Sequence, residues 1–447
     1  MRGVTGAAAA LLILGVLLGP SATRPAGAQP ARFRILSVSA TSASLSLGAG
    51  RVEYGTSSAL ALWSRPARGG KVVLTGLLPH TRYLARSHGS SLAFKTRPAA
   101  STATRVSPGG TILLNGSPFF PVMQWLQCPS LFSANVSLGI NVFLGRGCDN
   151  NSDASEVDAL ERLGAYSVLS FDAAVKGKKG LFGWRFDDEP DDNGESPTQI
   201  KTEYQHNRAA DPRHVNFLTL TSGFYSAMDP PSWMHGDRSY YRAYAQATDA
   251  SGFDIYPVTG WCRPDWLPRV GDAQRELQGY AGPKKPTYQW IEATSTSSQW
   301  CTGRGVTAAE LRAEVWLAIA DGARAIGYFT HSWKPTYSQF RVAPDVQAQI
   351  RKVDSEISTL APALLAATAG HSCPRALVCK ATTLRGARYL LAVNPSRSAV
   401  HGTFRLVGAR RSLRIFGARG RVAASHGVFS DTLPALGARI YVSAPAA

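Results

Sequence analysis

Two apolar stretches of the sequence, far apart along the chain, end on acidic residues. The first ends Asp187-Asp188-Glu189 and is stopped by a proline, and the second ends Ile291-Glu292. Clustered carboxylates repel one another, which raises the pKa of one member and suits it to donate a proton near neutral pH. The two stretches therefore indicate acid–base chemistry carried out at the ends of two buried strands.

Cleavage of a glycosidic bond needs such a pair, because one acid protonates the leaving oxygen and one carboxylate attacks the anomeric carbon. We predict Glu189 as the acid/base and Glu292 as the nucleophile of a retaining mechanism. A salt bridge to a nearby arginine is the structural alternative for Glu292. With Asp254 or Asp187 as the partner of Glu189, the mechanism would be inverting and the carboxyls about 6.5–9.5 Å apart rather than about 5–5.5 Å.

A second group of residues at predicted strand ends has side chains that suit sugar binding. Trp333 offers a flat apolar face to a sugar ring, with core packing as its structural alternative. Tyr256 could donate a hydrogen bond to the nucleophile and hold it ionised. The remaining candidates for substrate binding are Asp188, Asp254, Gln124, Trp125 and Arg146.

These residues need elements that bring them together, and residues 109–367 supply apolar strands that alternate with helical patterns. The predicted strands are Phe120–Gln127, Gly139–Arg146, Ala165–Asp172, Leu181–Glu189, His214–Thr221, Gly252–Val258, Pro286–Glu292 and Ala325–Thr330. Helical patterns between them include Ala154–Leu163, Thr198–Asn207, Ser239–Thr248, Thr307–Asp321 and Ala343–Leu360. Eight strands over this length predict a (β/α)8 barrel with its site at the C-terminal strand ends. An open doubly wound sheet is the alternative, but no glycine-rich phosphate loop follows a strand.

Three segments of this region resemble the retaining (β/α)8 glycoside hydrolases of the large clan that places its acid/base after strand four and its nucleophile after strand seven. They are the approach Leu114–Pro121, the strand-four run Gly183–Pro190, and the helix Arg312–Ala323 followed by Gly327-Tyr328-Phe329. The resemblance implies Glu189 as acid/base, Glu292 as nucleophile and Trp333 as the floor of the sugar subsite. Asp188 departs from the pattern, because many members of the clan have asparagine there.

The barrel is flanked by two predicted β-domains. Residues 31–98 read as short alternating strands, and the run Leu74–Tyr83 resembles a fibronectin type III domain with Tyr83 as its tyrosine-corner residue. A linker follows over residues 96–108. Residues 368–447 return to strands and predict a small C-terminal β-sandwich. We expect the chemistry to lie in the barrel alone.

The N-terminus and the cysteines predict an exported protein. Residues 1–28 have a positive start, an apolar core and the Ala26-Gly27-Ala28 cleavage pattern, and the core is too short to span a bilayer. An uncleaved anchor helix is the alternative. The later sequence contains no run of about 18 apolar residues, the length that a membrane-spanning helix needs. Six cysteines in such a chain suggest three disulfides, and sequential pairing would join Cys128 with Cys148, Cys262 with Cys301 and Cys373 with Cys379.

The net charge of +18 is concentrated in the flanking regions. Residues 31–98 carry a net +9, residues 368–447 a net +11 and the middle −4. No nucleic-acid motif accompanies this charge, so we expect no nucleic-acid partner. The flanks could rest on an anionic polysaccharide or on the cell envelope, or the arginines could reflect genomic base composition.

Together these patterns predict a secreted glycoside hydrolase that acts on a poly- or oligosaccharide and needs no cofactor and no metal. A non-catalytic glycan-binding surface protein on the same barrel remains an alternative, and the distance between the carboxylates separates the two. A phosphodiesterase or other metal hydrolase lacks an evident set of ligands, since no C-x-x-C occurs and the nine histidines are scattered.

Overall fold

The computed structural model describes residues 33–296 and 303–446 of the chain. The predicted signal peptide over residues 1–28 lies outside the described residues, and so does Cys301, which the sequence pairs with Cys262. Among the helices in the described ranges, none combines the length and the apolar character that a membrane crossing requires.

The N-terminal domain is a sandwich of two antiparallel sheets. Its strands are β1 (Arg34–Val38), β2 (Ser42–Ser46), β3 (Glu53–Gly55), β4 (Leu62–Trp63), β5 (Lys71–Thr75), β6 (Arg82–Ser87) and β7 (Ser90–Lys95). One sheet has the order β1-β2-β5 and the other β4-β3-β6-β7. Between the sheets, Tyr83 stacks on Phe94 with ring centroids 5.7 Å apart, and its hydroxyl accepts a hydrogen bond from the Leu78 amide at 2.9 Å. Tyr83 thus fixes the corner that precedes its own strand.

Eight parallel strands then close into a barrel in chain order, which confirms the predicted fold of this region. A small sheet of β8 (Thr104–Val106), β9 (Ile112–Leu114) and β10 (Ser117–Pro118) precedes it. The barrel strands are β11 (Val122–Gln127), β12 (Val142–Arg146), β13 (Tyr166–Leu169), β14 (Leu181–Arg185), β15 (Val215–Leu220), β16 (Ala250–Asp254), β17 (Thr287–Glu292) and β18 (Ala325–Phe329). The last strand pairs with the first, with Ile326 opposite Val122.

An α-helix follows each barrel strand except β13. These helices are α1 (Pro129–Leu138), α2 (Asp153–Leu163), α3 (Pro197–Ala210), α4 (Ser239–Gln246), α5 (Arg269–Ala281), α6 (Ala308–Ala320) and α7 (Pro344–Leu364). Between β13 and β14 a single 3-10 turn, Ala173–Val175, takes the place of a helix. Ser152, Ser196 and Thr307 begin three of the helices with capping boxes, which satisfy amides that have no partner within the helix.

Large aromatic side chains fill the barrel where two strands carry glycine. A Cβ atom at Gly252 of β16 would overlap the ring of Tyr288, and one at Gly327 of β18 would overlap the indole of Trp290. The Tyr288 hydroxyl and the Trp290 Nε1 both reach Thr219 Oγ1, at 3.0 and 3.2 Å. Because Gly252 and Gly327 have no Cβ atom, the barrel has room for the rings of Tyr288 and Trp290.

The C-terminal domain also has two sheets. Its strands are β19 (Ala367–Thr368), β20 (His371–Ser372), β21 (Val378–Leu384), β22 (Ala387–Val393), β23 (Val400–Leu406), β24 (Ser412–Ile415), β25 (Arg421–Ala423), β26 (Val428–Leu433) and β27 (Ala438–Ser443). The larger sheet has the order β19-β21-β22-β27-β24-β25, and the smaller β20-β23-β26. Two predicted disulfides are present: Cys373 with Cys379 in this domain, and Cys128 with Cys148 beside the barrel mouth.

The two flanking domains contact each other as well as the barrel. Arg414 of β24 pairs with Glu53 of β3 at 2.9 Å, and the Tyr389 hydroxyl of β22 donates to the Ala61 carbonyl at 2.7 Å. On the barrel side, Thr359 of α7 donates to Ser57 Oγ at 2.9 Å. The N-terminal domain thus contacts both the C-terminal domain and helix α7 of the barrel.

Candidate active site

A cavity of about 210 Å³ opens at the C-terminal ends of the barrel strands. This position is where barrels of this kind carry their functional groups. We call it the cleft. Its lining residues come from strands one, four, five, six, seven and eight of the barrel and are Trp125, Asp188, Glu189, Thr219, Asp254, Tyr256, Trp290, Phe329 and Trp333.

Three carboxyl groups, which we call the cleft acids, stand on one side of this cavity: Asp188, Glu189 and Asp254. The carboxyls of Glu189 and Asp254 are hydrogen-bonded to each other. Burial, and then the charge of Glu189, raises the pKa of Asp254 well above its usual range. The same two causes raise the pKa of Asp188 to about 6. A hydrogen bond between two carboxyls requires one proton, and we assign it to Asp254, whose pKa is raised by burial and by its neighbour's charge.

The backbone holds Glu189 in a conformation that non-glycine residues rarely adopt. Its φ angle is 50°, in the left-handed region. The turn that follows is fixed by the Glu189 carbonyl, which accepts hydrogen bonds from the Asp192 and Asn193 amides at 3.0 and 3.1 Å. Asp191 anchors this turn to the next strand by accepting from the Thr221 amide and hydroxyl at 3.0 and 2.7 Å. Such a strained residue at a strand end is a feature of functional sites.

Aromatic rings form most of the remaining lining of the cleft. Phe329 stands at its centre, with Tyr256 stacked on it at a centroid distance of 4.9 Å and Trp333 at 6.0 Å. Trp125 packs against Phe329 at 5.3 Å, tilted by 44°. Burial, and then the charge of Asp254, raises the pKa of Tyr256, so its hydroxyl stays protonated and able to donate. The cleft thus combines carboxyl groups with flat apolar faces.

Glu292 does not join the cleft acids. Its side chain is fully buried, and its carboxylate accepts hydrogen bonds from the Val258 amide at 2.8 Å, from the Thr259 amide at 2.6 Å and from the Thr259 hydroxyl at 2.7 Å. A further hydrogen bond joins it to Glu314 of α6. Glu292 is therefore absent from the cleft lining, and protein donors occupy its carboxylate oxygens, so its meeting with Glu189 stays a prediction.

Glu292 and Glu314 form what we call the sealed pair. Burial raises the pKa of both groups, and that of Glu314 well above its usual range, with the charge of Glu292 as its next cause. A hydrogen bond between two carboxyls requires one proton, which Glu314 holds. The donors to Glu292 belong to the loop that carries Tyr256, so the sealed pair fixes one edge of the cleft from behind.

Three other predicted residues also lie outside the cleft lining. Gln124 is buried and donates to Thr330 Oγ1 at 2.7 Å, which ties strand one to the segment after strand eight. Arg146 forms an ion pair with Asp153 at 2.8 Å and so supports the start of α2. Asp187 is exposed. Trp125, Asp188, Glu189, Asp254, Tyr256 and Trp333 are the predicted residues that the structure brings together.

Three residues of the cleft lining are not identified by the sequence analysis: Thr219, Trp290 and Phe329. Trp290 and Phe329 were read as ordinary hydrophobic residues of buried strands. Alternation along β17 carries the missing signal for Trp290, since residues two apart share a face and Tyr288 already packs inside the barrel. Within the described ranges, no group of three or more His, Cys, Asp or Glu side chains is arranged to hold a metal ion.

No protein-family model and no curated protein matches the sequence. Solved structures do match the fold. A Bacteroides vulgatus protein, provisionally assigned as a glycoside hydrolase, aligns with a TM-score of 0.51 at 10% identity, covering 91% of this chain and 99% of its own. A Bacteroides fragilis protein, provisionally assigned as an alpha-galactosidase/melibiase, gives 0.50 at 11% identity, covering 91% of this chain and 95% of its own.

An alpha-amylase from Geobacillus thermoleovorans, solved with acarbose, gives a TM-score of 0.50 at 9% identity, covering 71% of this chain and 92% of its own. The likeness is one of fold. Because unrelated activities share this barrel, the activity has to be argued from the cleft itself.

Proposed function

We propose that the protein is a glycoside hydrolase whose catalytic carboxyls are Glu189 and Asp254. The observation that carries the proposal is the hydrogen-bonded pair of these groups in a cavity walled by aromatic rings. A volume of about 210 Å³ lies below the roughly 300–1,000 Å³ of sites for drug-sized ligands. The cavity therefore suits one sugar ring, held between the cleft acids and Trp333.

In the first step, the Asp254 carboxyl gives its proton to the glycosidic oxygen while the Glu189 carboxylate attacks the anomeric carbon. The carbon–oxygen bond to the leaving group breaks, and the sugar is left as an ester of Glu189. In the second step, the Asp254 carboxylate takes a proton from water, which attacks the same carbon and releases Glu189. Asp254 is assigned as the acid because burial and its neighbour's charge raise its pKa and because it is hydrogen-bonded to Glu189.

Double displacement, rather than inversion, fits how close the two carboxyls lie. An inverting enzyme leaves room for a water between its second carboxylate and the sugar, and its carboxyls stand about 6.5–9.5 Å apart. Two carboxyls in direct hydrogen-bond contact are closer than either class requires, and the spacing of retaining enzymes is reached by the smaller change. Insertion of the glycosidic oxygen replaces their mutual hydrogen bond and opens the spacing to the about 5–5.5 Å of retaining enzymes.

The flanking features fit an exported enzyme of this kind. The two disulfides found among the described residues are typical of proteins that fold in an oxidising compartment. The three- and four-stranded sheets of the N-terminal domain, with the Tyr83 hydroxyl bonded to upstream backbone, support a fibronectin type III-like module.

The proposal is tested on a panel of polysaccharides and aryl glycosides, with the anomer of the product followed by NMR. We expect hydrolysis with retention, lost on all substrates in Glu189→Gln and on polysaccharides in Asp254→Asn, with the exposed Asp187→Asn as the matched control that stays active. Azide should rescue Asp254→Ala to a retained glycosyl azide and Glu189→Ala to an inverted one, which separates the two roles. Glycan binding without hydrolysis would instead identify a binding protein, and first-formed products of inverted configuration would overturn the double displacement.

A further inference from the structure

A second cavity, far more open than the cleft, lies on the surface of the C-terminal domain. It has a volume of about 800 Å³ and runs along β24 and β25 to the turn before β26. We call it the basic groove. The residues that give it its character are Arg410, Arg411, Arg421 and His426, with the hydroxyls of Ser412 and Ser425 between them.

The arginines of the basic groove have no acidic partner among the described residues. Arg410, Arg411 and Arg421 are exposed, and none of them forms a salt bridge within the described residues. The Arg421 Nε donates only to Ser412 Oγ, at 2.7 Å, which holds the guanidinium against the groove wall. Their positive field is therefore available to a ligand.

Other arginines of the same domain are committed to internal partners. Arg414 pairs with Glu53, Arg397 with Glu310, and Arg439 with Asp431. Asp431 is the only acid among residues 368–447, against twelve lysines and arginines. Since Asp431 is already paired, nothing negative in this segment of the sequence is left to neutralise the basic groove.

The chemistry of the groove fits an anionic polysaccharide. Guanidinium groups bind carboxylate and sulfate oxygens through two parallel hydrogen bonds, and serine hydroxyls can bind the hydroxyls of a sugar. Strand-binding sites for single-stranded nucleic acids add aromatic rings on which the bases stack. No Phe, Tyr or Trp side chain lines the basic groove, and His426 supplies a single imidazole, so its composition favours a polysaccharide over a nucleic acid.

We propose that the basic groove binds an anionic polysaccharide and holds the enzyme on it. The cleft carries three acids, so a negatively charged sugar would be repelled there. The polymer in the groove is thus distinct from the sugar unit in the cleft, and the groove sets where the protein acts rather than what it cleaves. Binding in the groove does not depend on the catalytic proposal, since it involves no residue of the cleft.

The test measures retardation of the full chain in native gels containing polygalacturonate, dextran sulfate or neutral dextran. The triple variant Arg410→Gln, Arg411→Gln, Arg421→Gln is compared with Arg65→Gln, Arg68→Gln, Arg82→Gln, which removes the same charge from exposed positions of the N-terminal domain. We expect the native protein to bind one or both anionic polymers and not neutral dextran. The groove variant should lose about tenfold or more in affinity, because three charged hydrogen-bonding groups are removed, and the control variant less than about threefold.

Equal losses in both triple variants would overturn the proposal, because net charge alone would then explain binding. Tighter binding to single-stranded poly(dT) than to either anionic polysaccharide would also overturn it, in favour of a nucleic-acid ligand. Thermal unfolding of each variant confirms that it is folded. Hydrolysis of a small aryl glycoside, unchanged in the groove variant, separates failure of the groove from failure of the cleft.

Discussion

Two groups of acids lie near the C-terminal ends of the barrel strands, and they differ in the partners that hydrogen-bond to their carboxyl groups. Among the cleft acids, Glu189 and Asp254 are hydrogen-bonded to each other, and all three face a cavity. The Glu292 carboxylate of the sealed pair instead receives two amides and a hydroxyl from the protein. Asp188 and Asp254 of the cleft and both members of the sealed pair have raised pKa values, so a raised pKa does not distinguish a site from a support. The distinction lies in whether protein donors already occupy the carboxylate oxygens.

The largest expected effect that separates the two groups is on catalytic rate. Asp254→Asn keeps the shape of the cleft but removes the transferable proton, and general acid catalysis contributes about 10²–10⁴-fold. We expect kcat to fall by that factor on a substrate with a poor leaving group and far less on one with an activated leaving group. Steady-state kinetics on a matched pair of aryl glycosides measures this, and an equal loss on both substrates would argue against the assigned role.

A change in the sealed pair should act first on stability. Glu292→Ala leaves the donors of Val258 and Thr259 buried without an acceptor, and each such group costs about 1–3 kcal/mol. We expect the free energy of unfolding in urea to fall by about 3 kcal/mol or more. Glu292→Gln retains an acceptor oxygen and should lose less stability while it keeps measurable hydrolysis. A well-folded but inactive Glu292→Gln would return the nucleophile role to Glu292.

The aromatic wall of the cleft should act on binding more than on rate. Trp333→Ala removes one flat face from the sugar subsite, and aromatic contacts of this kind are worth about 0.5–1.5 kcal/mol. We therefore expect KM to rise by roughly 2- to 12-fold with a smaller change in kcat. A fall in kcat with KM unchanged would show instead that Trp333 acts on the transition state.

The smallest expected effect concerns pH. The pKa of Glu314 is raised above its usual 4.5 by burial, so the folded state binds this proton more tightly than the unfolded state. Stability then decreases as the pH rises above about 4.5. Glu314→Gln removes this titration, and its melting temperature should fall less than that of the native protein between about pH 5 and pH 8. The exposed Glu161→Gln is the control and should follow the native curve.

The sequence is enough to predict the barrel and one side of the cleft. Each barrel strand is a short apolar run, and the acids that end β14 could only lie at the barrel mouth. The partners of the Glu292 carboxylate could not be predicted. Strand alternation places Glu292 on the same face as Trp290, two residues earlier. The loop after β16, whose path no local pattern specifies, brings the amides that occupy its oxygens.

The proposed role of Asp254 also could not be predicted from the sequence. The sequence placed it at a strand end but offered no reason to prefer it over Glu292, because contact with Glu189 depends on how strands four and six curve toward each other across the barrel. Trp290 was missed for a related reason. Its entry into the barrel depends on Gly327 of the neighbouring strand, and that pairing is visible only in three dimensions.

The contacts between the two flanking domains also bear on how this chain could be divided. Arg385 reaches the Tyr54 hydroxyl at 2.5 Å, next to the ion pair of Arg414 with Glu53. Excision of residues 33–98 would strip both guanidinium groups of these partners and uncover the β22 surface around Tyr389. The N-terminal sandwich therefore stabilises the C-terminal one through these contacts. An engineer who wishes to transplant the barrel should move all three domains together.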